Sequence, residues 1–255
     1  MQCNVLRFEG PITRDVNLKI LKLSGTHLKR KAYQYLILGI VCLFVLVVIF
    51  LTTDPILPLY FDLGRYNAVR ALVMMFPLFG ILVFFRLHRG YQRGFEGEKE
   101  VTQLLSSTLS DDYFLINDVQ LVAGKRSNID HIVLGPTGIF VLETKNHSGK
   151  IICYEDSWTG IGQNPSTQAR VNALRVYKVI KASGIFVSKL PWVQAIVVFA
   201  NKKVALDIRK KPDNVKVLKI DELTNYIIQE TRRLSAQEIE LISKEILNVH
   251  ANLGS

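Results

Sequence analysis

The sequence predicts an α/β domain preceded by a two-helix transmembrane hairpin. Three observations carry that expectation. Two apolar runs, residues 33–51 and 68–85, are almost free of charge. From Gly94 onward, helix-period and strand-period segments alternate. Within that part, Ile129 to Lys145 (IDHIVLGPTGIFVLETK) reads as two short strands closed by a Gly-Pro-Thr-Gly turn.

Residues 1–31 are polar and mixed, ending in Lys29-Arg30-Lys31. Val16, Leu18, Ile20 and Leu21 fit either a short strand or a helix. No signal-peptide pattern is present, because the apolar run comes late and no small-residue cleavage site follows it. As a helix, residues 33–51 span about 28 Å, against a bilayer core of about 30 Å. Residues 68–85 carry only Arg70, near the start, where its head can snorkel to the interface. Pro77 and Gly80 are tolerated in a membrane helix. Basic residues flank the outer ends (Lys29, Arg30, Lys31; Arg86, Arg89, Arg93), and the loop 52–67 holds Asp54, Asp62 and Arg65. The positive-inside rule then sets both termini in the cytoplasm and that loop outside, with Tyr60 and Tyr66 in the interfacial belt. The expected division is a segment 1–31, a hairpin 32–93, a catalytic-type domain 94–200 and a tail 201–255 of strand and helices packing on it.

The net charge of +10 invites a nucleic-acid reading. Its distribution weakens that: residues 1–93 hold 12 Lys and Arg against 4 acids, while residues 94–255 hold 20 against 18. The basicity reports topology more than a DNA-binding face. Cys3, Cys42 and Cys153 have no paired spacing, so neither a disulfide framework nor a zinc site is suggested, which fits a reducing compartment. A single intramembrane charge, Arg70, gives no support to a transporter or channel.

In the soluble part, residues 95–109 have helical periodicity with Glu96, Glu98 and Glu100 in the first turns, where the dipole favours acids. Residues 113–122 read as a strand, 124–128 as a polar loop and 150–154 as a strand after the hairpin. Asn164-Pro165 is a cap-plus-first-turn signal for a helix through Gln168, Asn172 and Arg175 to about residue 182. Residues 193–199 and 215–220 read as strands and 221–230 as a helix. Ser235 to Glu238 is a capping box opening a last helix to about residue 249.

Chemistry concentrates in the hairpin. Glu143 and Lys145, two apart, share a face that Thr144 does not. A tight turn at Gly135 to Gly138 sets Asp130 opposite Glu143, where like charges repel. A hard divalent cation such as Mg²⁺ compensates them. Ile139 to Leu142 are apolar on both faces, which argues for a central strand, where an idle acid is costly.

Gly97-Glu98 in the opening helix, Ile129-Asp130-His131-Ile132, Gly135-Pro136-Thr137-Gly138, Glu143-Thr144-Lys145-Asn146 and Asn164-Pro165…Gln168 occur in order. In this pattern residues 94–200 resemble the nuclease-related domain (NERD), a branch of the PD-(D/E)XK nuclease superfamily. The resemblance implies a restriction-endonuclease-like mixed sheet flanked by helices. It implies that Asp130 and Glu143 bind Mg²⁺ or Mn²⁺, with the Thr144 backbone carbonyl and Glu98 as further ligands. Lys145 would orient or activate the attacking water and stabilise phosphate charge, and Gln168 would support the site. His131 faces away from Asp130 and reads as a structural hydrogen-bonding group, and Trp158 as a packing anchor. Lys202, Lys203, Arg209, Lys210 and Lys211 are the local basic cluster, suited to nucleic-acid phosphates, anionic headgroups or plain solvation. The expected function is a membrane-anchored, metal-dependent nuclease acting on DNA or RNA. The alternative is a non-catalytic nucleic-acid-binding or scaffold module that keeps the fold.

Overall fold

The computed structural model describes residues 18–22, 26–56, 63–122, 128–185, 192–231 and 233–254. Cys3, Val16, Tyr60, Asp62 and the 124–128 loop up to Asn128 lie outside them, as do the side chains of Asp54, Arg65 and Tyr66. The chain divides into two units, residues 26–95 and the remainder.

The first unit is built from helix α1 (Thr26–Ile56) and the greater part of helix α2 (Leu63–Thr108). Both are long and apolar enough to cross a membrane. Large apolar side chains such as Phe44, Phe76 and Phe79 are about two-thirds exposed or more, at 68%, 75% and 68%. That pattern fits lipid rather than water as the neighbour. The helices approach closely at Gly80, where an added Cβ would lie 2.9 Å from Cys42 Sγ. Arg70 lies over the Phe50 ring at 5.5 Å. The second apolar run and the helix expected at 95–109 are one continuous helix rather than two. Gly94, where the sequence sets the domain border, and Gly90 before it each cost only about 1 kcal/mol in a helix interior. The Arg, Gln, Glu and Lys residues around them are good helix formers, and no proline intervenes after Pro77.

The second unit carries a six-stranded mixed sheet. Its strands are β1 (Lys19–Lys22), β2 (Phe114–Val119), β3 (Ile129–Gly135), β4 (Gly138–Lys145), β7 (Val193–Phe199) and β9 (Val215–Lys219), in that spatial order. Pairs β2–β3 and β3–β4 are antiparallel; β1–β2, β4–β7 and β7–β9 are parallel. The strand-or-helix alternative at residues 18–21 resolves as β1. A second sheet has the order β6 (Ser157–Thr159), β5 (Gly149–Tyr154), β8 (Val204–Lys210). Strands β6 and β8 were not anticipated.

Helices cover both faces. Helix α3 (Pro165–Ala182) and α5 (Ala236–Gly254) cover one, over Ile132, Val141, Val197 and Phe199. The C-terminal part of α2 and helix α4 (Ile220–Gln229) cover the other, over Val133, Phe140, Leu142 and Val198. Strand β4 is therefore central, and alternate residues feed the two cores. Helix α3 starts as the sequence indicates: Asn164 Oδ1 accepts from the Thr167 N–H at 3.0 Å, with proline at the first turn. The α5 capping box forms too, as Glu238 N–H donates to Ser235 Oγ and Ser235 N–H to Glu238 Oε2. Helix α5 runs five residues past its expected end.

Candidate active site

The β3–β4 ladder sets the geometry. Gly135 pairs with Gly138, Leu134 with Ile139 and His131 with Leu142. Continued by one step, that register brings Asp130 to the level of Glu143. Gly138 takes φ +143° at the turn, a conformation that L side chains rarely adopt. Asp130 does not meet Glu143 bare: its Oδ2 accepts from the Thr144 backbone N–H at 2.7 Å.

Glu143 is 2% exposed and points toward α3. Lys145 Nζ donates to Glu143 Oε1 at 2.7 Å and to Gln168 Oε1 at 3.1 Å. The lysine thus ties β4 to α3. Glu98 is 8% exposed on α2. It is brought there by a close approach: a Cβ on Gly97 would lie 2.7 Å from Asn146 Cβ. Only glycine lets the helix settle this near the end of β4.

Two members of the cluster were missed. Asp118 lies at the end of β2, in a ladder where Asn117 pairs with His131 and Val119 with Ile129. It is therefore level with Asp130, so three adjacent strands each carry an acid at one level. Its φ of +53° departs from the strand, and Asn128 Nδ2 donates to its Oδ1. An Asn-Asp pair inside FLINDV was the available signal. Asn172, 1% exposed, lies one turn after Gln168 on α3 and donates to Glu143 Oε2 at 3.4 Å. Its own Oδ1 accepts from Arg175 Nη1 at 2.9 Å.

The electrostatics follow from crowding. Burial pushes the Glu98 carboxyl well above its usual range, and Asp130, Asp118 and Glu143 push it further, with Lys145 opposing. Burial and then Asp130 raise Glu143, again against Lys145. Burial raises Asp130, although the Thr144 N–H and Lys145 hold it back. The acids compete for one lysine.

That donor set bears on a divalent ion. Among the described residues no three His, Cys, Asp or Glu side chains converge as a metal cage. Magnesium does not require one: it keeps several waters and is held by one or two carboxylates plus substrate phosphates. Buried, mutually repelling carboxylate oxygens with one lysine among them fit such an open site.

The remaining sequence-derived residues distribute as follows. Thr144 turns its side chain to the α2 face, where Oγ1 is buried without a partner among the described residues. His131 is fully buried on that same face, 2.7 Å from Asn117 Oδ1 through Nδ1, and burial lowers its pKa to about 3. It is a neutral structural group. Trp158 packs beside Phe199 with ring centroids 6.0 Å apart and donates to Ser166 Oγ. The basic cluster is divided by β8. Lys202 and Lys203 precede the strand, next to Gly149 and just past the end of β7. Arg209 to Lys211 lie at its far end, roughly 20 Å along a seven-residue strand. There Arg209 pairs with Asp207 and Lys210 with Glu155.

Residues 93–200 match the family model described as nuclease-related domain (NERD). Over 97 residues the chain is 36% identical to an uncharacterized protein of Bacillus anthracis, covering 34% of this chain and 46% of that protein. The chain thus spans less than half the length of this curated relative. Among solved structures, SfsA of Pyrococcus furiosus in complex with Ca²⁺ overlaps 62% of this chain and 53% of its own, at 14% identity and a TM-score of 0.24. A likeness that loose carries no argument about this site.

Proposed function

Residues 93–200 carry a nuclease-related domain, and from that premise we propose that the protein is a membrane-anchored nuclease. It hydrolyses phosphodiester bonds of DNA or RNA at the cytoplasmic face, both termini lying on that side. The observation that carries this reading is the bridge from Lys145 to both Glu143 and Gln168, with Asp130 at the level of Glu143 on the neighbouring strand.

Asp130 and Glu143 would hold Mg²⁺ or Mn²⁺, with the Thr144 carbonyl beside them and Glu98 at the margin. When bound, the ion supplies polarisation of the phosphate and a lower pKa for the attacking water. The residues of the chain do the rest. Lys145 sets its ammonium where negative charge develops on the phosphate, and Gln168 fixes the direction of that ammonium. Asn172 orients the second oxygen of Glu143. Lys202 and Lys203, at the near end of β8, steer the phosphate backbone, whereas Lys210 and Lys211 act at most as a distant contact.

The test uses the full-length protein in detergent with single-stranded DNA, duplex DNA and RNA, with Mg²⁺, Mn²⁺ or chelator. Metal-dependent cleavage is expected on at least one substrate, and Glu143→Ala or Lys145→Ala lowers it by at least about a hundredfold. Wild-type protein inert on all three, or variants as active as wild type, would sink the nuclease reading and leave a binding or scaffold module.

A further inference from the structure

Resting on the nucleic-acid reading of the site and extending it, we propose that the outer face of the second sheet is a track for single-stranded nucleic acid. The premise is how that sheet joins the first. Strands β4 and β7 end side by side: Lys145 is level with Phe199, and the Ala200 N–H donates to the Lys145 carbonyl at 3.0 Å. After short breaks the same two chain paths pair again as β5 and β8, still parallel, from Gly149 opposite Val204. The Gly149 N–H donates to the Lys203 carbonyl at 3.4 Å, which closes the step between the sheets. The second sheet therefore carries two strands of the first onward past Glu143 and Lys145.

Its two faces differ. Ile151 and Cys153 are buried on the inner face, where Ile151 and Val204 join the core and Trp158 packs beside Phe199. Alternation turns Lys150, Ile152 and Tyr154 to the outer face. Lys150 is exposed there, Ile152 is half-buried and Tyr154 is 55% exposed. Lys210 is level with Tyr154 after a bulge, its Nζ 5.9 Å from the ring centroid.

The cations of this sheet are not alike. Arg209 and Lys210, at the far end, are already paired with Asp207 and Glu155. Lys150, Lys202 and Lys203 are exposed at the end nearest the site, and among the described residues their ammonium groups have no ion pair. Free cations beside the proposed cleavage site fit backbone phosphates. Tyr154 follows about 13 Å further along β5, four residues at 3.3 Å each. An exposed ring beside lysines is a platform on which an unpaired base stacks. In a duplex both faces of a base are covered by its neighbours, so only a single strand offers one. Lysines followed by a ring along one strand thus select single-stranded polymer over duplex.

The test measures binding of a labelled thymidine oligonucleotide by fluorescence anisotropy, with full-length protein in detergent and chelator present so that nothing is cut. The comparison probes are a duplex of equal length and an abasic single strand, which keeps the phosphates and lacks the bases. The oligonucleotide is expected to bind at least about fivefold tighter than either, the factor that one stacked base supplies. Y154A loses that margin while binding the abasic strand as wild type does, and Y154F keeps it. K150Q lowers the salt slope of log Kd by about 0.7, the loss of one phosphate contact on a single strand. Equal binding of the three probes, an unchanged margin in Y154A, or an unchanged slope in K150Q overturns the track. Cleavage is then read on the same samples with Mg²⁺. A margin that depends on Tyr154 without any cleavage sinks the nuclease reading and leaves the track, whereas cleavage without the margin overturns the track alone.

Discussion

Two clusters of polar side chains flank α3, and they treat their acids in opposite ways. At the N-terminus of the helix, Asp156 accepts both guanidinium arms of Arg170 and the Ser166 hydroxyl. The Arg170 hydrogen bonds and then Ser166 hold its carboxyl below the usual carboxylate range. Inward from the same helix, Glu143, Glu98 and Asp130 share Lys145; burial raises all three, and a neighbouring acid raises each further, Asp118 in the case of Asp130. A compensated acid near the surface organises the fold. Buried acids left short of cations are a strain that stability does not require, and such strain concentrates where chemistry is done.

The largest expected difference between the clusters is in stability against pH. A group whose folded pKa is raised keeps its proton in the folded state after the unfolded chain has lost it. Its contribution is present below the ordinary carboxylate range and is lost as pH rises toward the raised value. Each such group costs about 1.4 kcal/mol per pH unit across that interval. Glu98 is the cleanest probe, because burial and then three acids raise it and only Lys145 opposes them. With chelator present, Glu98→Gln should melt higher than wild type at pH 8 and close to it at pH 4. Added Mg²⁺ should raise the wild-type midpoint most at alkaline pH. A variant that melts lower than wild type at pH 8 would show that Glu98 is compensated after all.

A smaller effect is expected at the contact that brings Glu98 in. Gly97→Ala would set a Cβ 2.7 Å from Asn146 Cβ and 3.4 Å from its Cγ, with Ala200 Cβ at 3.5 Å. Either the helix or the end of β4 must give way, at about 1–3 kcal/mol for an overpacked site. Denaturant unfolding should show that loss despite the better helix propensity of alanine. A stabilised Gly97→Ala variant would mean that propensity, not approach, governs the position.

Most of this geometry was legible because it rests on local rules. The Gly135 to Gly138 turn sets the register of the hairpin, so the levels of Asp130 and Glu143 follow from counting. The cap at Asn164 starts α3 where Gln168 then reaches Lys145. What escaped depends on contacts distant in sequence or on departures from ideal strands. Asp118 joins the site through a positive φ that periodicity does not encode. Asn172 is a helix residue whose burial is decided by β4, about thirty positions away. Strand β8 (VALDIRK) has weak alternation and is half exposed, so the sequence marks its ends only as a basic cluster, open between phosphate contact, headgroup contact and solvation, and the strand shows in its pairing with β5. Continuity through Gly94 escaped because a glycine at a change of polarity imitates a domain border.

The smallest effect belongs to the compensated cluster, and its sign decides whether the comparison holds. Asp156→Asn removes the bidentate pair with Arg170, whose side chains are 45% and 36% exposed. Solvent screens such a pair, so the loss is about 0.5–1 kcal/mol despite the good geometry. Its pH dependence runs opposite to that of Glu98. A carboxyl with a depressed folded pKa stabilises above its ordinary range, and that contribution disappears as pH falls through the depressed value. Wild type and Asp156→Asn should therefore differ at pH 7 and converge near pH 2, and salt should narrow the gap at pH 7. Arg170 also donates to the Asp213 carbonyl, so the variant keeps one link between α3 and the segment before β9. Gln168 then stays in place and cleavage should be nearly unchanged. If Asp156→Asn instead stabilised the protein at neutral pH, as Glu98→Gln is expected to, uncompensated acids would not distinguish the inner cluster from the outer one.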